Sequence, residues 1–559
     1  MIASTTTRAA AGTTTTRAAG GTTGHLAIVL HAHLPFVRHP EHARHLEERW
    51  LFEAILECYL PLIGALDRLA QEGVPVALTM SLTPTLADML QDDLLRARFE
   101  AHLARLQALQ RSERLRAGGD ANVGKAVGFY GGWLAEARAT WERHGGDVVA
   151  ALVSHARAGR LDLLASAATH AFLPGLMAEP RALRAQVRVG LRAFAEQTGL
   201  KPVGFWMPEC AYDPTFDAVL AEEGVRFTIV EEHGLHFARP RPPAGTYAPV
   251  ASPSGVAFFA RDLASGRQVW SRDEGYPGDP WYREFYRDIG FDLPEPELLG
   301  EIGPYGARVF TGLKYHRVTA PGIDLADKAP WDPDVARERA WVHAGHFVDS
   351  RRKQLEGIRA VLSGGAPPIV CSPYDAELFG HWWFEGPWFL EAVFRRLAQG
   401  LAPGVEPITL RAFLHRNPAM LRATPAASTW GARGHSSVWI DHPNAWLWRH
   451  VHHASRDVVK TVARLREVAA RTRDGAVTAA LEQAITELLL LQSSDWPFIL
   501  ETATAEGYAA ARARAHAARL RDLLAMIDTG EVDDRRLADL GSRDDFLAAQ
   551  RDMLPSAYA

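Results

Sequence analysis

The sequence predicts an α/β protein: a parallel β/α barrel with a helical insertion and an all-helical C-terminal domain. Three observations carry that prediction. Short, continuously apolar runs alternate with helical periodicity from residue 25 onward, as expected of strands buried on both faces of a parallel sheet. The runs end in polar or charged residues beside proline or glycine, the layout of a barrel whose strand C-termini build the active site. Beyond about residue 415, strand signals give way to long helical stretches.

Taken in order, residues 1–24 ("MIASTTTRAAAGTTTTRAAGGTTG") hold Thr, Ala and Gly, two arginines and no acid. Such a stretch cannot build a core and is expected to be a disordered tail. "HLAIVL" is the first strand, Glu48 to Leu69 has helical periodicity, and "VPVALTMS" is the second strand. Charged, alanine-rich sequence over about 85–160 reads as an inserted helical subdomain. Strands then return as "RLDLLASAATH", "PVGFWMPE", "RFTIVEEH", "GVAFFARD" and "PPIVCSPYDAEL", and helices follow at 455–473, 476–492, 503–527 and 544–553. The expected division is therefore a tail over 1–24, a barrel over 25–415 and a helical domain over 416–559.

A chain of 559 residues exceeds what one core serves, so more than one domain is expected. Its 61 basic and 66 acidic residues give a net charge of −5, which argues against nucleic acid and fits a neutral substrate. Three separated cysteines (Cys58, Cys210, Cys371) form neither a disulfide framework nor a zinc spacing, so a reducing cytoplasm is expected. No apolar run is long enough for a membrane helix, so no membrane partner is expected. Of the 16 tryptophans, seven cluster: Trp382, Trp383, Trp388, Trp430, Trp439, Trp446 and Trp448. Flat aromatic faces of this kind suit the C–H face of a sugar as well as they suit a core.

Glu209 in "GFWMPECAY" and Asp375 in "CSPYDAELFGHWWFE" each follow an apolar strand and a proline. A carboxylate placed there is paired, hydrogen-bonded or catalytic. Two such groups on different strands suit glycoside cleavage with retention, one attacking the anomeric carbon and the other protonating the leaving oxygen, at a separation of roughly 5–5.5 Å. Glu377 and Glu385 compete for these roles on spacing alone. His31, His33 and His170 sit at predicted strand ends, with His381 just after one. They admit two readings, ligands of a metal-dependent hydrolase or neutral hydrogen-bonding groups of a sugar site.

The ordered segments "HAHLPF", "SAATHAFLP", "FWMPECAY", "SPYDAELFGHWWFEG" and "LLLLQSSDWPF" resemble the five sequence regions of glycoside hydrolase family 57, and within it the 1,4-α-glucan branching enzymes. The resemblance runs from about His25 to about Pro555, through "FARDLASGRQVWS", "GYPGDPWYREFYRDIGF", "TGLKYHRVT" and "STWGARGHSSVWI". It implies a (β/α)7 barrel, Glu209 as nucleophile and Asp375 as general acid/base. It further implies His33 and His170 around the reacting sugar with His31 as neighbour, Arg261 in support and Asp495 reaching in from the helical domain. Trp270, Trp430 and Trp439 would line the cleft of an α-1,4-glucan substrate, with no metal or organic cofactor. A monomer is the expected state. One departure stands out: the segment between Glu209 and Trp270 is short, Ala244 stands about where a lid tyrosine is expected, and Tyr247 is the nearby tyrosine. A short lid excludes water less well, so α-glucan hydrolysis or 4-α-glucan transfer is the same-fold alternative, and a metal-dependent deacetylase or amidohydrolase the distant one.

Overall fold

The computed structural model describes residues 21–558, apart from 272–273, 304–305, 363 and 470–474. Most of the expected tail therefore lies outside the described residues. Thr23 and Gly24 already donate to the Gly404 carbonyl, and Gly24 opens the first strand.

Seven parallel strands form the barrel: β1 (Gly24–Ala32), β2 (Leu78–Leu82), β3 (Leu161–Ser166), β4 (Phe205–Trp206), β5 (Phe227–Val230), β6 (Ala257–Ala260) and β7 (Ile369–Asp375). The ladder runs β4-β3-β2-β1-β7 on one side and β5-β6 on the other. Single parallel bridges, Gly204↔Phe227 and Arg261↔Cys371, link the two arcs into a ring. Each strand coincides with one of the predicted apolar runs. Because the strands are parallel, their C-terminal ends share one rim, and the register that pairs His31 with Asp375 brings residues 344 positions apart to the same level.

Four helices, Pro84–Gln91, Asp93–Ala117, Gly124–Arg143 and Val148–Arg157, fill the connection from β2 to β3. The connection from β6 to β7 is the longest, with helices Leu263–Trp270 and Pro333–Val361 flanking mostly irregular chain. Helix Pro180–Thr198 backs the β3 rim closely. A Cβ at Gly190 would lie 2.0 Å from the Ser166 carbonyl oxygen, so Gly190→Ala must push the helix off the strand end that leads to His170. Overpacking of this kind costs about 1–3 kcal/mol, and thermal unfolding should show a lower midpoint.

The C-terminal part differs in detail from expectation. Leu421–Arg422 is a short strand paired with Val250–Ala251, and chain from there to residue 444 lies over the barrel before helix Ala445–Ala469 begins. Helices Gly475–Leu491, Asp495–Thr502, Glu506–Thr529 and Asp534–Arg543 follow, and Ala548–Met553 is 3-10 rather than α. Of the clustered tryptophans, Trp383 and Trp448 are buried in packing, the latter against Gly175.

Candidate active site

The barrel rim and the C-terminal segment enclose a cavity of about 820 Å³. His31, His33, His170, Glu209, Arg261, Trp270, Asp375, Trp430, Trp439 and Asp495 all line it. The two carboxylates come from β4 and β7, strands on opposite sides of the β1–β3 arc.

Glu209 sits in the turn after β4 at φ 63°, with Cys210 at 49° and His170 at 54°. Left-handed backbone at non-glycine residues costs free energy and clusters at functional sites. Glu209 accepts a hydrogen bond from Trp430 Nε1 at 2.8 Å and another from Ser494 Oγ at 2.9 Å. The Trp430 amide also donates to the Glu209 carbonyl. Burial raises the Glu209 pKa, while the Trp430 and Ser494 hydrogen bonds act against that rise and favour the anion. The Asp375 carboxyl is pushed well above the usual range by burial, reinforced by the charges of Glu377 and Glu209 and opposed by Arg261. One carboxylate is thus hydrogen-bonded for ionisation, and the other is surrounded so as to keep its proton.

The competing glutamates have other engagements. Glu377 also lines the cavity, but it accepts from the Tyr59 hydroxyl and the His33 amide. Glu385 is fully buried, accepts from the Arg283 amide and Trp331 Nε1, and does not line the cavity. Burial pushes its pKa up to about 7.

The histidines stack face to face. Ring centroids are 4.5 Å apart for Trp206 and His31, 4.8 Å for His31 and His170, and 3.9 Å for His170 and His33. His31 Nδ1 is bonded to Ser81 Oγ and His170 Nδ1 to Ser494 Oγ at 2.8 Å. Since the Ser494 proton goes to Glu209, His170 must donate from Nδ1, which leaves its Nε2 an acceptor. The Nε2 atoms of His31 and His170 are buried without a protein partner, and burial keeps both rings well below the usual imidazole pKa. They are thus suited to a sugar hydroxyl. Both nitrogens of His33 are engaged, by Thr83 at 3.0 Å and Asp495 at 3.0 Å. Burial opposes its protonation, but the Asp495 carboxylate outweighs that and raises its pKa. Among the described residues, the group with ligand-like proximity is Glu487, His516 and Asp544 in the helical region, where Arg512 and Arg519 already pair with Asp544.

Arg261 donates to Glu231 at 3.2 Å and lies 5.8 Å from the centroid of the Trp430 ring. Trp270 is 37 % exposed, whereas Trp439 is 2 % exposed and stacked on Phe172, so it presents an edge rather than a face. His381 is bonded to Glu57 and does not line the cavity. Tyr247 also lies elsewhere: its hydroxyl accepts from Gln354, and its carbonyl accepts from Ile369 at the opening of β7, the far end from Asp375. Sequence reasoning missed Ser494, the Trp206 support and two aromatics of the cavity wall, Trp382 and Phe498. Trp382 belonged to the tryptophan cluster; Ser494 carries no pattern of its own.

Comparison with known proteins completes the description of the site. The family model "Glycosyl hydrolase family 57" matches residues 27–289, and "1,4-alpha-glucan branching enzyme, C-terminal" matches 450–550. A 1,4-alpha-glucan branching enzyme of Thermococcus kodakarensis is 33% identical over 557 residues, covering 93% of this chain and 77% of that protein. The chain belongs to glycosyl hydrolase family 57. Among solved structures, an alpha-amylase of Thermotoga maritima superposes with a TM-score of 0.88 at 35% identity, over 95% of this chain and 99% of that one. The branching enzyme of Thermococcus kodakaraensis, solved in complex with glucose, gives 0.84 at 32% identity, over 96% of each. A GH57-type branching enzyme of Pyrococcus horikoshii gives 0.83 at 30% identity, over 96% of this chain and 97% of that one. The relatives thus carry both branching-enzyme and alpha-amylase names on one fold.

Proposed function

We propose that this family 57 chain is a cytoplasmic 1,4-α-glucan branching enzyme that acts by retaining double displacement. The observation that carries the reading is the unequal treatment of two carboxylates in one aromatic-walled cavity: Glu209 held by Trp430 and Ser494, Asp375 kept protonated by burial and negative neighbours. The branching-enzyme names of its relatives support it. The three cysteines are all buried and free, which suits a reducing compartment.

In the first half-reaction Asp375 gives its proton to the glycosidic oxygen of an α-1,4 bond as Glu209 attacks the anomeric carbon. The bond to the departing chain breaks and an ester to Glu209 forms. In the second, Asp375 as carboxylate takes the proton of an incoming 6-hydroxyl. That oxygen bonds to the anomeric carbon, and the electron pair of the ester bond returns to Glu209. Two inversions leave the configuration retained and create an α-1,6 branch. His31 and His170, neutral with free Nε2 atoms, would hold hydroxyls of the reacting glucose. Amylose incubated with the protein, then debranched and sized, should release short chains; reducing ends without branches would sink the branching reading.

Hydrolysis is the second reading, and one observation favours it. No tyrosine lines the cavity among the described residues, so nothing there replaces the lid tyrosine expected from the resemblance, and water competes at the intermediate. The alpha-amylase name of a close structural relative accords with that.

The Trp430 contact supplies a separate check. Trp430→Phe removes a donor to the ionised form of Glu209, so the Glu209 pKa must rise. The acid limb of kcat/KM should move upward by roughly one pH unit, the scale of one hydrogen bond to a charged group. An unmoved limb with lowered kcat would mean that Trp430 acts only as a wall.

A further inference from the structure

We infer that a second cavity, of about 610 Å³ and also bounded by Trp430, is the site of the acceptor glucan; the inference rests on the branching reading and names where its second substrate binds. Arg261, Trp430 and Gly431 line both cavities, so these residues form a shared wall, and no other lining residue is common to the two. Glu231 and Arg261, which line the second cavity, directly follow β5 and β6. Those strands occupy the ring between β4, which carries Glu209, and β7, which carries Asp375. The second cavity therefore adjoins the sector between the two carboxylates. An acceptor hydroxyl must reach that sector, since its oxygen attacks the carbon held by Glu209 while its proton goes to Asp375.

The lining suits a neutral polyol. Phe237, at the C-terminal end of helix Glu232–His236, is 70 % exposed. An apolar ring left in water at the edge of a cavity is placed to stack on the C–H face of a glucose. Arg267 and Arg433 have no ion-pair partner among the described residues, and Arg433 is held at φ 60°, a conformation that side-chain-bearing residues rarely adopt without cause. A planar guanidinium offers paired donors to vicinal hydroxyls. Glu231 and Glu232 share the lining with Arg261, Arg267 and Arg433, and Glu231 is paired with Arg261, so the charges nearly balance and no cluster of one sign is left to select an anion. The volume lies within the range of small-ligand sites, about 300–1,000 Å³.

The test uses the whole protein with amylose as donor and a reducing-end-labelled maltohexaose as acceptor, scoring labelled α-1,6 products against new reducing ends. Phe237→Ala and Arg433→Ala alter exposed side chains, so folding is not at risk. Each should raise the acceptor concentration for half-maximal transfer roughly tenfold, the scale of one lost stacking or charged contact. The ratio of branches to reducing ends should fall by a similar factor at fixed acceptor. If both variants keep the wild-type acceptor dependence, or if cleavage and transfer fall in parallel, the acceptor site is overturned while the branching reading stands. A wild-type protein that yields reducing ends alone overturns both.

Discussion

Glu209→Gln lowers α-1,4 cleavage and branch formation together by roughly 10⁴-fold or more, the scale seen when a covalent nucleophile is removed. Both outcomes pass through one ester, so both must fall by the same factor. The amide that replaces the carboxylate keeps the shape of the site, and binding of glucan should persist. Azide identifies the role as well as the loss. In Glu209→Ala, azide can enter the space left by the carboxylate and attack the same face, giving a β-glycosyl azide from an α-linked donor while Asp375 still protonates the leaving chain. Recovery of the α-azide instead, or turnover retained in Glu209→Gln, would overturn the nucleophile assignment.

Asp375→Asn should lower turnover on amylose by roughly 10²–10⁴-fold, the usual contribution of a positioned acid/base. The loss should depend on the leaving group. A maltooligosyl fluoride, whose fluoride departs with little protonation, should be cleaved at a much smaller penalty than amylose. With that donor and azide, Asp375→Ala should yield the α-azide, since attack then falls on the ester. The pH profile gives the same test in another form. Asp375 must be protonated to act, and its pKa is raised by burial first and then by Glu377 and Glu209, so activity is present below that pKa and is lost as pH climbs through it. The alkaline limb of kcat/KM should disappear in Asp375→Asn. An alkaline limb that survives would move the acid role to another group, of which Glu377, also in the cavity lining, is the first candidate.

The barrel was legible because parallel strands buried on both faces leave an apolar signature: Leu26 to Leu30 are all buried, and each later strand repeats that pattern. The carboxylates were legible because a charge after such a run needs a reason to be there. What the sequence concealed depends on distant chain. Nothing in "SSDWPF" marks Ser494 as the link between His170 and Glu209, because a serine hydroxyl acquires that role only once helix Asp495–Thr502 has docked. The positive φ values at His170 and Glu209 lie on residues that ordinarily avoid them, so no local propensity announces them. Spacing could not separate Glu209 and Asp375 from Glu377 and Glu385; the structure adds that Glu385 is bonded to the Arg283 amide and Trp331 away from the cavity, and that Glu377, in the cavity, is bonded to Tyr59. The helix expected from 455 starts at Ala445 because Leu447 and Val451 continue the buried face of that helix toward its N-terminus, and Trp446 and Trp448, on either side of Leu447, obscured the periodicity.

The hydroxyl that holds Glu209 lies 285 residues downstream of it, and the carboxylate that holds His33 lies 462 residues downstream. During synthesis, the strands that carry the reacting groups leave the ribosome long before these supports do, at a pace of roughly 5–20 residues per second. The nascent barrel therefore holds Glu209 with neither of its side-chain donors, Trp430 and Ser494, in place. Competence arrives as a late event, when the final helices close on a rim that has waited for them.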